Sequence, residues 1–106
     1  MNSRSAESRI ELSPRLGSLL VRVTETPDLE AALWKVLSEY IDLKTASIEE
    51  RIEAFEKKWG MSFDEFAVRC EADTLGEDPY SYDVESDYWE WEAAETLLQH
   101  YKHLQP

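Results

Sequence analysis

The sequence predicts a mainly α protein, with one short N-terminal strand followed by four helices, the last of them long. Three observations carry this reading. Three glycines and four prolines in 106 residues leave too little turn material for a sheet-rich fold, which needs a turn about every 8–12 residues. The stretches between them are rich in Glu, Leu, Ala and Lys, the residues that lose least on entering a helix. Helix-start signals then recur along the chain at Ser13-Pro14, Thr26-Pro27, Ser47–Glu50 and Ser62–Glu65, each a hydroxyl residue followed by proline or by a glutamate three positions on.

Taken in order, Ser8–Ser13 alternates apolar and polar residues with the period of a strand, placing Ile10 and Leu12 inward and Arg9, Glu11 and Ser13 outward. So short a strand has no partner elsewhere in the chain and would pair with its own copy in a dimer; an extended arm is the competing reading. Ser13-Pro14 opens a helix to about Thr24, with Leu16, Leu19, Leu20 and Val23 on one face. Thr26-Pro27 opens a stronger helix whose stripe is Leu29, Leu33, Val36, Leu37, Tyr40 and Ile41.

Two signals then conflict. Ser47–Glu50 is a capping box and favours a new helix, whereas Ile41, Thr45, Ile48, Ile52, Phe55 and Trp59 keep heptad spacing without interruption. The expectation leans to a break near Thr45–Ser47, dividing the chain into residues 1–45, a dimerisation segment, and residues 46–106, an acidic partner-binding segment. Gly60 supplies a left-handed stop. Ser62–Glu65, with Met61 as a staple on Phe66, starts a short helix to about Ala72. Residues 73–82 hold Gly76 and Pro79 and read as a loop. The last helix runs from about Asp83 to His103, with Val84, Tyr88, Trp91, Ala94, Leu98 and Tyr101 on one face. Trp34 and Trp59 are expected in the core, and Trp89, off the main stripe beside Ala93, at an interface.

The charge is graded along the chain. Residues 1–24 carry four basic and two acidic side chains, whereas the rest carries 7 basic and 21 acidic, within a total of −12. From Glu71 onward there are ten carboxylates and one lysine, set among Trp89, Trp91 and four tyrosines. Such a surface repels nucleic acid and suits a basic protein, because charge speeds encounter and buried aromatic area holds the complex. Asp83, Glu85, Asp87, Glu90 and Glu92 are the residues expected to meet Lys or Arg of the partner, with Tyr88, Trp89 and Trp91 as anchors. The apolar stripes exceed what 106 residues can easily cover, so a homodimer is expected.

No enzyme, cofactor or metal is expected. No two of the clustered acids stand out as an acid–base pair, and the spacing is not that of a calcium loop. His100 and His103 are at helical chelating distance but want further ligands, and Cys70 has no adjacent base in sequence. There is no Gly-rich phosphate loop or nucleophile motif. A single cysteine excludes an internal disulfide and fits a reducing compartment. With no long apolar run and no signal-peptide pattern, a cytoplasmic protein without membrane attachment is expected.

The order strand, helix, turn, helix over residues 9–43 resembles the ribbon-helix-helix fold of small dimeric repressors and antitoxins. That resemblance implies that Arg9, Glu11 and Ser13 face the DNA major groove. Glu11 departs from the pattern, since a carboxylate there is unfavourable except against cytosine amino groups. Residues 48–104, through Phe55-Glu-Lys-Lys-Trp-Gly-Met-Ser-Phe-Asp-Glu-Phe66 and Asp87-Tyr-Trp-Glu-Trp-Glu-Ala93, look like the helical part of small bacterial antitoxin-like proteins of toxin–antitoxin modules. This second resemblance implies a chain that neutralises a basic toxin, often a ribonuclease, by wrapping it with an acidic segment. The rival expectation is a helical homo-oligomeric structural or adaptor protein with no toxin partner.

Overall fold

A computed structural model of the chain describes residues 11–104. It holds four helices: α1 (Pro14–Thr24), α2 (Leu29–Trp59), α3 (Phe63–Ala72) and α4 (Tyr82–Leu104). Ser8, Arg9 and Ile10 of the expected strand lie outside the described residues, and Glu11 and Leu12 pair with no other strand among them. The chain divides into two compact units, Met1–Glu39 and Tyr40–Pro106. Among the described residues no helix is long and apolar enough to cross a membrane.

In the N-terminal unit, Ser13 caps α1 by accepting from the Leu16 N–H at 3.2 Å, with Pro14 following it. Such a cap is worth about 1 kcal/mol. The helix ends at Glu25, whose left-handed φ of 55° lets the Thr26 N–H reach back to the Val21 carbonyl at 3.2 Å. Lys35 then donates to the Thr24 carbonyl at 3.0 Å, setting a cation on the negative end of the α1 dipole. The second start differs from expectation. Asp28, not Thr26, caps α2 by accepting from the Ala31 N–H at 3.3 Å, while the Thr26 hydroxyl donates to the Thr24 carbonyl at 3.1 Å. Asp is the stronger cap, and its use leaves Pro27 outside the helix, where its missing N–H is harmless.

The buried residues of this unit are small: Gly17, Thr24 and Ala32. Leu16, Leu19 and Val23 stay in solvent, Val23 at 69% exposure, and so does Trp34, against the expectation that it is core, while Leu20, Val21 and Leu33 are half-buried. α1 therefore buries a small-residue face, Gly17 and Thr24, and leaves most of its apolar stripe, Leu16, Leu19 and Val23, uncovered.

The C-terminal unit has a proper core. α2 runs unbroken for 31 residues through Thr45–Ser47, so the expected break is absent. The uninterrupted seam overrides the Ser47 capping signal, because Thr45, Ile48 and Ile52 are all buried and a break there would expose them. Phe66 of α3 and Val84, Trp91, Ala94 and Leu98 of α4 complete the cluster, flanked by Phe55, Trp59, Phe63 and Tyr88. Trp91 is its hub. Its ring stacks on Phe55 at 5.4 Å and meets Phe63 at 5.5 Å and Phe66 at 5.1 Å. Its indole N–H has no acceptor among the described residues. An orphan of that kind costs about 1–3 kcal/mol, which a ring burying about 150–250 Å2 offsets.

The turns that fix this unit are mostly those the sequence marks. Gly60 takes φ 70° after α2, and Ser62 caps α3 by accepting from the Glu65 N–H at 3.3 Å. The reciprocal half of the box is replaced by an ion pair, since Glu65 accepts from Arg69 at 3.2 Å one turn on. Met61 packs against the cluster that contains Phe66. Ser81 caps α4, accepting from the Val84 N–H at 3.3 Å.

Candidate protein-binding surface

The face of α4 that carries the acidic and aromatic residues lies within the C-terminal unit, which holds seventeen acidic and six basic side chains. The eight α4 residues singled out by sequence separate into two groups. Trp91 is fully buried and Asp87 is only 8% exposed. These two are corrections to the expected partner-binding set: both are consumed by the fold and are not available as an anchor and a contact charge. Asp87 accepts from the Trp59 indole N–H at 3.0 Å and from Lys58 at 2.6 Å. The hydrogen bond from Lys58 to Asp87, helped by the charges of Asp87 and Asp83 and opposed by partial burial, holds the Lys58 ammonium above its ordinary value of 10.5. Tyr88 is half-buried, its ring 5.3 Å from Phe63 and 6.2 Å from Phe66.

The second group is at the surface. Trp89 is 63% exposed, held edge-on to Tyr88 at 5.8 Å. Asp83 pairs with Lys58 at 3.4 Å and Glu90 with Arg51 at 4.0 Å, both exposed pairs of the kind worth about 0–1 kcal/mol. Glu85 is exposed and Glu92 half-exposed, and among the described residues neither has an ion-pair partner.

Beside Trp89 lies a feature the sequence did not single out. An open cleft of about 340 Å3 runs between α3, the loop before α4 and the first turns of α4. That is the lower end of the ligand-pocket range, about 300–1,000 Å3. Val84 and Tyr88 line it, Tyr80 and Trp89 flank it, and Glu71 and Glu85 supply its charge. Tyr80 stands 82% exposed on a turn in which the Asp78 carboxylate accepts the Tyr80 N–H at 3.0 Å. Cys70 also faces the cleft, and burial pushes its thiol above the ordinary 9.0, which disfavours the thiolate. The available signal was Pro79-Tyr80-Ser81-Tyr82, two large aromatics in a loop that no apolar stripe requires.

Of the three residues the ribbon-helix-helix resemblance implies for DNA, Arg9 lies outside the described residues. Glu11 is exposed, and Ser13 has its side chain committed to capping α1. The His103 ring nitrogen Nδ1 sits 2.8 Å from the Gln99 carbonyl of its own helix, and no cluster of three metal-ligating side chains occurs among the described residues. Compared with protein families, with curated proteins and with solved structures, the chain finds no match.

Proposed function

We propose that this chain is a non-enzymatic protein-binding protein, antitoxin-like in logic, which dimerises through its N-terminal unit and neutralises a basic partner protein through the acidic aromatic face of α4. The observation that carries the reading is Trp89, a large aromatic left 63% exposed on a helix whose neighbouring Trp91 is fully buried. A tryptophan in solvent amid carboxylates suits a contact that charge steers and apolar area holds. Asp83, Glu85, Glu90 and Glu92 form the charged rim, with Tyr88 as the half-buried support of Trp89. The dimer reading rests on the uncovered stripe Leu16, Leu19 and Val23, which a second copy would cover. A purely homo-oligomeric role, with the acid serving solubility, is the second reading, and the same stripe favours it.

The test is co-expression with the basic product of an adjacent reading frame. Growth arrest by that product, relieved by this chain and not by its Trp89→Ala, Glu90→Gln, Glu92→Gln variant, is the expected result. Relief by the variant equal to that of the native chain overturns the assignment. Truncation before α4 is not a usable control, because it removes Val84, Trp91, Ala94 and Leu98 from the core.

A further inference from the structure

We propose that the cleft between α3, the preceding loop of α4 and the first turns of α4 is a seat for one arginine side chain presented by the partner protein; this deepens the protein-binding reading and rests on it. The lining is aromatic: Tyr80, Tyr88 and Trp89 all face the cleft, Tyr80 and Trp89 largely in solvent. A planar guanidinium stacks on such rings through both dispersion and attraction to their negative faces. The charge is one-signed. Glu71 and Glu85 line the cleft, no basic side chain does, and among the described residues neither glutamate has an ion-pair partner.

The local design of α3 points the same way. Glu71 sits in the last turn of that helix and Asp73 caps it in left-handed conformation at φ 57°. Acids at a helix C-terminus work against its dipole. The Asp73 and Thr74 N–H groups cap the Cys70 and Arg69 carbonyls, but the basic residue of that turn, Arg69, is engaged with Glu65, which leaves Glu71 as an unpaired charge beside an aromatic cleft. A local rule broken without an internal benefit is the pattern expected of a binding site, and an incoming cation supplies the missing compensation. The floor is prepared for it: Val84 is fully buried, and Tyr88 is fixed between Phe63 and Trp89.

The experiment titrates the intact chain with a Gly/Ser peptide bearing interspersed arginines, and with the same peptide bearing lysines or the neutral isostere citrulline. Amide shifts in NMR spectra locate the site. The arginine peptide is expected to move Tyr80, Glu85 and Trp89, the lysine peptide to bind more weakly, and the citrulline peptide not to bind. Glu71→Gln with Glu85→Gln should weaken the arginine peptide by about tenfold, equivalent to about 1.4 kcal/mol. Glu49→Gln with Glu53→Gln removes the same charge from an exposed part of α2 and should change binding by less than about twofold, because exposed charges are screened over about 10 Å. Tyr80→Leu should weaken binding and Tyr80→Phe preserve it.

Equal losses from the two glutamine pairs, binding of citrulline equal to arginine, or shifts located elsewhere overturn the cleft. Failure of the wider reading shows separately: the arginine peptide then still enters the cleft, while the Trp89→Ala, Glu90→Gln, Glu92→Gln variant relieves growth arrest as well as the native chain.

Discussion

The indole N–H of Trp59 donates to the carboxylate of Asp87 at 3.0 Å, joining the last residue of α2 to the second turn of α4. The bond does two things in one step. It satisfies a tryptophan donor at the edge of the aromatic cluster, and it gives a carboxylate only 8% exposed a partner besides Lys58. Asp87 is therefore a residue of the fold, although it sits in the most acidic segment of the chain.

Replacing Trp59 by phenylalanine keeps an aromatic ring against Phe66, 5.0 Å away in the native chain, and removes the donor together with part of the indole's apolar surface, so the loss is read against that of Asp87→Asn. The expected loss is about 1–3 kcal/mol, the cost of leaving a buried acceptor short of a partner, read by urea denaturation. Asp87→Asn should be milder, because the amide oxygen still accepts from the indole. An unchanged midpoint for Trp59→Phe would show that the bond contributes nothing.

This pairing explains where the sequence stops being legible. Helix starts at Ser13 and Ser62 are local events, each fixed within three residues, and both are found where the capping signals place them. The stripe on α4 is also a local pattern, and it puts Trp91 inward as observed. Asp87, by contrast, is held by a residue 28 positions away, and no spacing along α4 marks it as internal. The cleft beside Trp89 has the same origin, since Tyr80 is placed by a turn on Asp78 and Glu71 by the end of a different helix. The Thr45–Ser47 break fails for the converse reason: a local capping signal is outweighed by a seam whose worth lies in tertiary burial.

The Lys58 pair gives a pH dependence of definite sign. The folded chain holds this ammonium above its ordinary 10.5, chiefly through the hydrogen bond to Asp87. A group whose affinity for the proton rises on folding stabilises the fold fully below its unfolded value and ceases to do so as pH climbs through the folded one. The contribution of Lys58 is thus present at neutral pH and lost in alkali above 10.5. Denaturation midpoints of the native chain and Lys58→Met should differ at pH 7 and converge in strong alkali. A difference that stays constant would contradict the assignment.

Trp91 and Trp89, two residues apart, should fail in opposite ways. Trp91→Ala empties the centre of the C-terminal core and should cost about 3–5 kcal/mol of stability, visible as loss of cooperative unfolding or a large fall in midpoint. Trp89→Ala should change stability by less than about 0.5 kcal/mol, as surface substitutions do. Its effect should fall on the complex with a basic partner, by speeding dissociation at a cost on the order of 2 kcal/mol or more if it anchors the contact. Neutralising Glu85, Glu90 and Glu92 should instead slow association and flatten its salt dependence, since exposed charges steer encounter. Surface plasmon resonance at two salt concentrations separates the two.

The N-terminal unit supplies the test of assembly. Its α1 presents Leu16, Leu19 and Val23 to solvent and buries only small residues, so it lacks a large apolar core of its own. Analytical centrifugation at micromolar concentration is expected to return the mass of two chains, and the assembly should come apart on dilution because association stabilises the unit. Leu19→Glu with Val23→Glu should give a single-chain mass. It should leave unfolding of the C-terminal unit unchanged, since the aromatic cluster around Trp91 draws on no residue before Ile48. A native chain that sediments as one copy would remove the dimer. A double variant that still sediments as two would place the contact on another apolar patch, of which the exposed Leu29, Trp34, Val36, Leu37, Tyr40 and Leu43 of α2 are the nearest in sequence.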